Sequence, residues 1–146
     1  MNASNSPKES DASSAGAEGG GQIGNRRILI CDDKAEIRTL LRHTLGKTFE
    51  LLEAENGQAA LALIRRYHPL VALLDVMMPG ELDGLQVLKA VRADTDLRDV
   101  HVIMLTARGQ QTDIEIGATL GADMYVIKPF SPVKLARMIE EMIKGP

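Results

Sequence analysis

Five apolar side chains, Leu70-Val71-Ala72-Leu73-Leu74, run straight into Asp75. A run that short, with no polar alternation, reads as a strand covered on both faces, the kind found in parallel sheets clothed by helices. An acid at its C-terminal end stands where open α/β sheets place their chemistry. Three more segments end in the same way. Arg27-Ile28-Leu29-Ile30-Cys31 runs into Asp32-Asp33, Val102-Ile103-Met104-Leu105 into Thr106-Ala107, and Met124-Tyr125-Val126-Ile127 into Lys128-Pro129. If these strands are parallel, Asp32, Asp33, Asp75, Thr106 and Lys128 converge on one edge of the sheet.

Helical patterns separate the strands. A helix is expected over 35–46, with Ile37, Leu40, Leu41 and Leu45 on one face. A short strand comes next, at 50–54. The helix at 57–67 ends before His68-Pro69, because a proline disfavours helical backbone at the residue before it. The buried strand 70–75 leads to a helix at 84–93 carrying Leu85, Leu88 and Val91, then to a strand at 101–105 and a weaker helix at 111–119. The last strand, 123–127, precedes a helix at 132–143, opened by Ser131 as cap and Pro132 in the first turn. Its expected buried stripe is Leu135, Met138, Ile139 and Met142. Five strands alternating with five helices give an α/β domain with a doubly wound, five-stranded parallel sheet.

Residues 1–25 differ in kind from the rest of the chain. Fourteen of them are Gly, Ser or Ala, and the only large apolar side chains are Met1 and Ile23. Such a segment cannot bury enough surface to offset its ordering entropy. It reads as a disordered tail ahead of a domain at 26–146. The formal charge of −3, with no Trp, two Tyr and two Phe, gives no basic, aromatic-rich stripe for nucleic acid. The lone Cys31 cannot form an internal disulfide and reads as a small buried apolar residue. No apolar run approaches the roughly 18 residues of a membrane span, so a cytoplasmic protein without membrane insertion is expected. Gly46-Lys47-Thr48 lacks the earlier glycine of a nucleotide-binding loop, since Leu41 stands there inside a helix; Gly46 reads as a helix end. His43, His68 and His101 share no metal-ligand spacing and read as surface residues. The methionines at 77–78 and 138–142 read as core filler.

Three ionised carboxylates in one pocket repel one another. At about 4 Å and an effective dielectric near 20, each pair costs roughly 4 kcal/mol. A hard divalent cation is the natural neutraliser, and Mg2+ typically takes one or two carboxylates with phosphate oxygens and waters. Lys128 adds a second positive charge, Thr106 a hydroxyl donor, and Ala107 leaves room for a ligand. Anionic oxygens held by a cation, an ammonium and a hydroxyl describe a phosphoryl group in transfer. The nucleophile in such a set is a carboxylate, and its product an acyl phosphate.

The chain resembles the receiver domain of bacterial two-component response regulators. The matching pieces are Asp32-Asp33, Leu74-Asp75-Val76-Met77-Met78-Pro79 with Asp83-Gly84, Leu105-Thr106-Ala107, and Tyr125-Val126-Ile127-Lys128-Pro129-Phe130. The likeness covers residues 26–144. It implies a flavodoxin-like receiver fold and a signalling switch phosphorylated on Asp75 by a sensor histidine kinase or a histidine phosphotransfer protein. In that likeness Mg2+ is held by Asp33 directly, by Asp32 through water, by Asp75 and by the Met77 backbone carbonyl. Lys128 contacts the phosphoryl oxygens, Thr106 moves toward the phosphate, Tyr125 is the aromatic whose rotamer reports the switch, and the Lys128–Pro129 peptide is cis. Output then passes by protein contact to an effector, on the face of the fourth helix, last strand and last helix. No direct nucleic-acid contact and no enzymatic turnover beyond the domain's own phosphorylation and dephosphorylation are implied. Only Lys144-Gly145-Pro146 come after the last helix, so a stand-alone domain is expected.

One departure is visible. Asp75 to Gly84 is one residue longer than the commonest family spacing, which an insertion around Gly80-Glu81 explains. Two other functions compete. A magnesium-dependent aspartyl phosphatase needs a second aspartate two residues after the nucleophile, where Met77 stands. A constitutive docking module would keep the fold without phosphorylation, and the intact acids, Thr106 and Lys128 speak against it.

Overall fold

A computed structural model describes residues 25–107 and 111–144. The expected tail at 1–25 lies, except for Asn25, outside the described residues. The elements are β1 (Arg27–Cys31), α1 (Ala35–Leu45), β2 (Glu50–Ala54), α2 (Gly57–Tyr67), β3 (Val71–Asp75), α3 (Gly84–Ala93), β4 (His101–Ala107), α4 (Gln111–Leu120), β5 (Met124–Lys128) and α5 (Pro132–Lys144). The five strands form one parallel sheet in the order β2-β1-β3-β4-β5. The expected α/β doubly wound architecture is therefore present. No helix among the described residues is long and apolar enough to cross a membrane.

Alternation along the central strands divides the core in two. Leu29, Ala72, Leu74, Val102 and Met104 face Ala60, Ile64, Val87, Leu88 and Val91 from α2 and α3. Ile28, Ile30, Val71, Leu73, Ile103 and Leu105 face Leu41 and Leu45 of α1 and Leu135 and Ile139 of α5. β3 is buried at every position, as its unbroken apolar run demands.

Local signals set the helix ends. Asp83 caps α3 in a reciprocal box, its side chain accepting from Gln86 N–H at 2.9 Å while Gln86 Oε1 accepts from Asp83 N–H at 2.8 Å. Asn56 caps α2 through Ala59 N–H at 2.8 Å, and Ser131 Oγ accepts from Lys134 N–H at 3.2 Å. α2 stops at His68, which is left-handed (φ 46°) immediately before Pro69.

Several expectations need correction. Leu40 is exposed, so the buried stripe of α1 is Leu41 and Leu45 with Ile37 partly covered. Met138 is likewise exposed, whereas Met142 packs on the core as expected, and Ala136 and Ile143 join the α5 stripe. Met77 is 64% exposed, because it lies past the strand end in a turn, whereas Met78 does pack on the core. A short 3-10 turn at Thr95–Leu97, capped by Asp94, was not foreseen. β4 runs on through Thr106 and Ala107, and β5 starts at Met124 and includes Lys128.

Candidate functional site

The strand order reverses direction between β1 and β3, and ligands of open α/β sheets bind beyond the strand C-termini at such a point. Asp32 and Asp33 come directly after β1, and Asp75 closes β3. One carboxylate oxygen from each lies within 4.8 Å of the others. At that separation and an effective dielectric near 20, each like-charge pair costs about 3.5 kcal/mol. Asp32 is fully buried and Asp75 is 4% exposed, while Asp33 faces solvent.

Lys128 reaches into this cluster from the end of β5. Its Nζ donates to Asp32 Oδ2 at 2.8 Å and stands 3.2 Å from Asp75 Oδ2. Asp32 Oδ1 accepts from Lys34 N–H at 2.9 Å. Asp75 Oδ1 accepts from Met77 N–H at 3.3 Å. Asp75 Oδ2 is buried and finds no hydrogen-bond donor of good geometry. Burial, then the Asp32 charge, pushes the Asp75 carboxyl above the usual carboxylate range, with Lys128 pulling the other way. Burial works against the Lys128 ammonium, yet the two carboxylates more than offset it and raise its pKa.

Thr106 is buried one residue beyond Leu105, the β4 residue paired with Asp75. Its hydroxyl reaches only the Ala107 carbonyl, at 3.5 Å, and among the described residues it bonds to none of the acids. Tyr125 is placed elsewhere. Its ring lies on Gly117 of α4, so close that a Cβ there would run into the hydroxyl and stand 2.9 Å from a ring carbon. That hydroxyl is buried without a partner, and burial raises its pKa. The Lys128–Pro129 peptide is cis.

Two supporting residues escaped the sequence reading. Arg38 Nη1 donates to the Asp32 carbonyl at 2.8 Å, and Met78 Sδ lies 3.0 Å from Cys31 Sγ. Neither carries a sequence signal, since each contact depends on how a helix or loop folds back over β1. Burial, helped by Asp32 and Asp75, pushes the Cys31 thiol up to about 12, consistent with an inert core residue.

The acid set fits a hard divalent cation. It offers three clustered carboxylate oxygens, more negative charge than the single Lys128 ammonium offsets.

An α/β switch-point pocket with this donor set defines a class, and the comparisons name it. The chain belongs to the response regulator receiver domain family, whose model matches residues 28–140. It is 42% identical over 119 residues to a protein described as "Probable transcriptional regulator ycf27" of Porphyra purpurea, covering 81% of this chain and 47% of the relative. It is 38% identical over 120 residues to the phosphate regulon transcriptional regulatory protein PhoB of Escherichia coli K12, covering 82% of this chain and 52% of PhoB. The chain thus spans about half the length of these relatives. Among solved structures, a CheY-like receiver domain protein from Methanospirillum hungatei superposes with a TM-score of 0.75 at 27% identity, covering 82% of this chain and 94% of that one. A DNA-binding response regulator of the LuxR family from Staphylococcus aureus gives 0.74 at 30% identity, with 81% and 98% covered.

Proposed function

We propose that this receiver domain is a phosphorylation-dependent switch in which Asp75 takes a phosphoryl group from a phosphohistidine of a sensor kinase or phosphotransfer protein. The observation that supports it best is the clustering of Asp75 with Asp32 and Asp33, one oxygen of each within 4.8 Å of the others, around a Lys128 ammonium 3.2 Å from Asp75 Oδ2. A merely structural acid would not stand among two other carboxylates with a single ammonium between them, since each like-charge pair is costly. Attack by an Asp75 carboxylate oxygen forms the O–P bond as the P–N bond to imidazole breaks. The electron pair leaves with the imidazole nitrogen, and Asp75 becomes an acyl phosphate. Lys128 balances the transferred oxygens, and Thr106 offers its hydroxyl to them.

Charge makes a cation necessary. Three carboxylates and one ammonium leave the pocket near −2, and a phosphoryl group adds about −1.5 to −2 more. Asp33, Asp75, the Met77 backbone carbonyl and, through water, Asp32 would hold Mg2+, which when bound supplies the missing positive charge. The new charge on Asp75 then draws Thr106 and frees Tyr125 from α4, altering the face of α4, β5 and α5 that an effector protein reads.

Incubation with a small acyl-phosphate donor and Mg2+ tests this. Intact mass should rise by one phosphoryl group, the adduct should be cleaved by hydroxylamine, and Asp75→Asn should abolish it. An unlabelled wild type, or a labelled Asn variant, would sink the reading.

A further inference from the structure

Residues 76–83 carry the chain from β3 to α3, and this loop leans on the start of α2, which holds none of the pocket acids, and on the end of β1. Gly57, the first residue of α2, is buried against Leu82. A Cβ at position 57 would run into the Leu82 carbonyl oxygen, 2.7 Å from Leu82 Cβ and 2.8 Å from its carbonyl carbon. Only glycine allows so close an approach. At the loop tip, Gly80 (φ +97°) lies over Gln58, whose Oε1 would be 3.3 Å from a Cβ there. Nearer the strand, Met78 Sδ touches Cys31 Sγ at 3.0 Å, and that thiol points to the carbonyl of Asn56, the α2 cap, at 3.4 Å. Residues 78, 80 and 82 therefore all rest on the start of α2 or the end of β1.

The same loop feeds the pocket. Met77 N–H donates to Asp75 Oδ1 at 3.3 Å, and Gly84 N–H closes the loop base on the Val76 carbonyl at 3.1 Å. Loop position and carboxylate orientation are mechanically joined.

We propose that the start of α2, through Gly57, is a positioning shoulder that seats the β3–α3 loop and so sets the pocket's affinity for a divalent cation. The shoulder rests on the acid cluster being a cation site. Lifting Leu82 by the width of a methyl group would draw Met77 N–H away from Asp75 and let that carboxylate rotate. Mg2+ demands near-ideal octahedral geometry, so a small displacement is felt in affinity.

Calorimetric titration of Mg2+ into the full chain tests the shoulder, at a temperature where amide spectra show each variant folded. Gly57→Ala should weaken binding by about tenfold, the scale on which supporting residues act on metal sites. Leu82→Ala, which adds no clash, should weaken it by a smaller factor, and it decides the matter if Gly57→Ala does not fold. A purely structural role would lower the melting temperature but leave the Kd of the folded protein unchanged, and that result overturns the shoulder. Asp33→Asn separates the two readings. If it loses Mg2+ while both shoulder variants keep the wild-type Kd, the shoulder alone is wrong. If it binds Mg2+ like the wild type, the cation reading fails and the shoulder with it.

Discussion

β3 and β5 are both five-residue parallel strands that end in a charged residue of the same pocket, yet every residue of β3 is buried and none of β5 is. Neighbours make the difference. β3 lies between β1 and β4 with helices over both faces, whereas β5 is an edge strand paired only with β4. Beside β5, α4 buries only Gly117, and Ile116, Ile127 and Val133 stand exposed on that side. Asp75 thus sits on the rigid half of the pocket and Lys128 on the compliant half. Opening free energies vary across a fold with the density of buried contacts, so a change of charge at Asp75 meets its least resistance toward β5 and α4.

The strongest way to break that contrast is to truncate one side chain on each strand. Leu73→Ala empties a site with no exposed surface and should cost about 2–5 kcal/mol in urea unfolding. Ile127 is 48% exposed, and Ile127→Ala should stay within about 0.5 kcal/mol. Comparable losses would mean that the two strands are equally embedded.

A middle-sized effect is expected at Gly117. Gly117→Ala drives a methyl group into the Tyr125 ring, and overpacking of that kind costs about 1–3 kcal/mol where the surroundings cannot yield. On the compliant side they can, so the cost should fall at the low end. The Tyr125 ring resonances should shift while amides of β1 and β3 stay in place. Shifts spreading through β3 would show that the compliance is not confined to β5 and α4.

The sequence reveals β3 and the pocket acids because both rest on local facts. An unbroken apolar run can be covered only on two faces, and parallel strands align their C-termini whatever the loops do. Lys128 was legible for the same reason. The failures are tertiary. Leu40 and Met138 belong to the helical periodicity but sit at the margin of their stripes, where they stay exposed. Met77 is apolar in a turn whose geometry is set by the Asp75 carboxylate, not by its own side chain. The contacts of Gly57 with Leu82 and of Cys31 with Met78 join segments about 25 and 47 residues apart, and no local pattern encodes them.

The smallest expected effect concerns pH, and it probes the rigid side by itself. Burial, with Asp32 behind it, holds the Asp75 carboxyl above its ordinary pKa, so the folded chain binds that proton more tightly than the unfolded chain does. The stability this proton confers is complete below the ordinary carboxylate pKa and is lost as pH rises through the raised folded value. Above that raised value the ionised Asp75 is a standing cost, only partly relieved by Lys128 at 3.2 Å. Asn keeps the shape and carries no charge. Thermal melts in chelator should therefore find Asp75→Asn more stable than the wild type at neutral pH. The gap should narrow as the solution is acidified through the raised pKa. An Asn variant that melts below the wild type at neutral pH would show that the Lys128 attraction outweighs burial. The Asp75 carboxylate would then be settled by its ammonium partner, and the rigid half would owe its order to β5 after all.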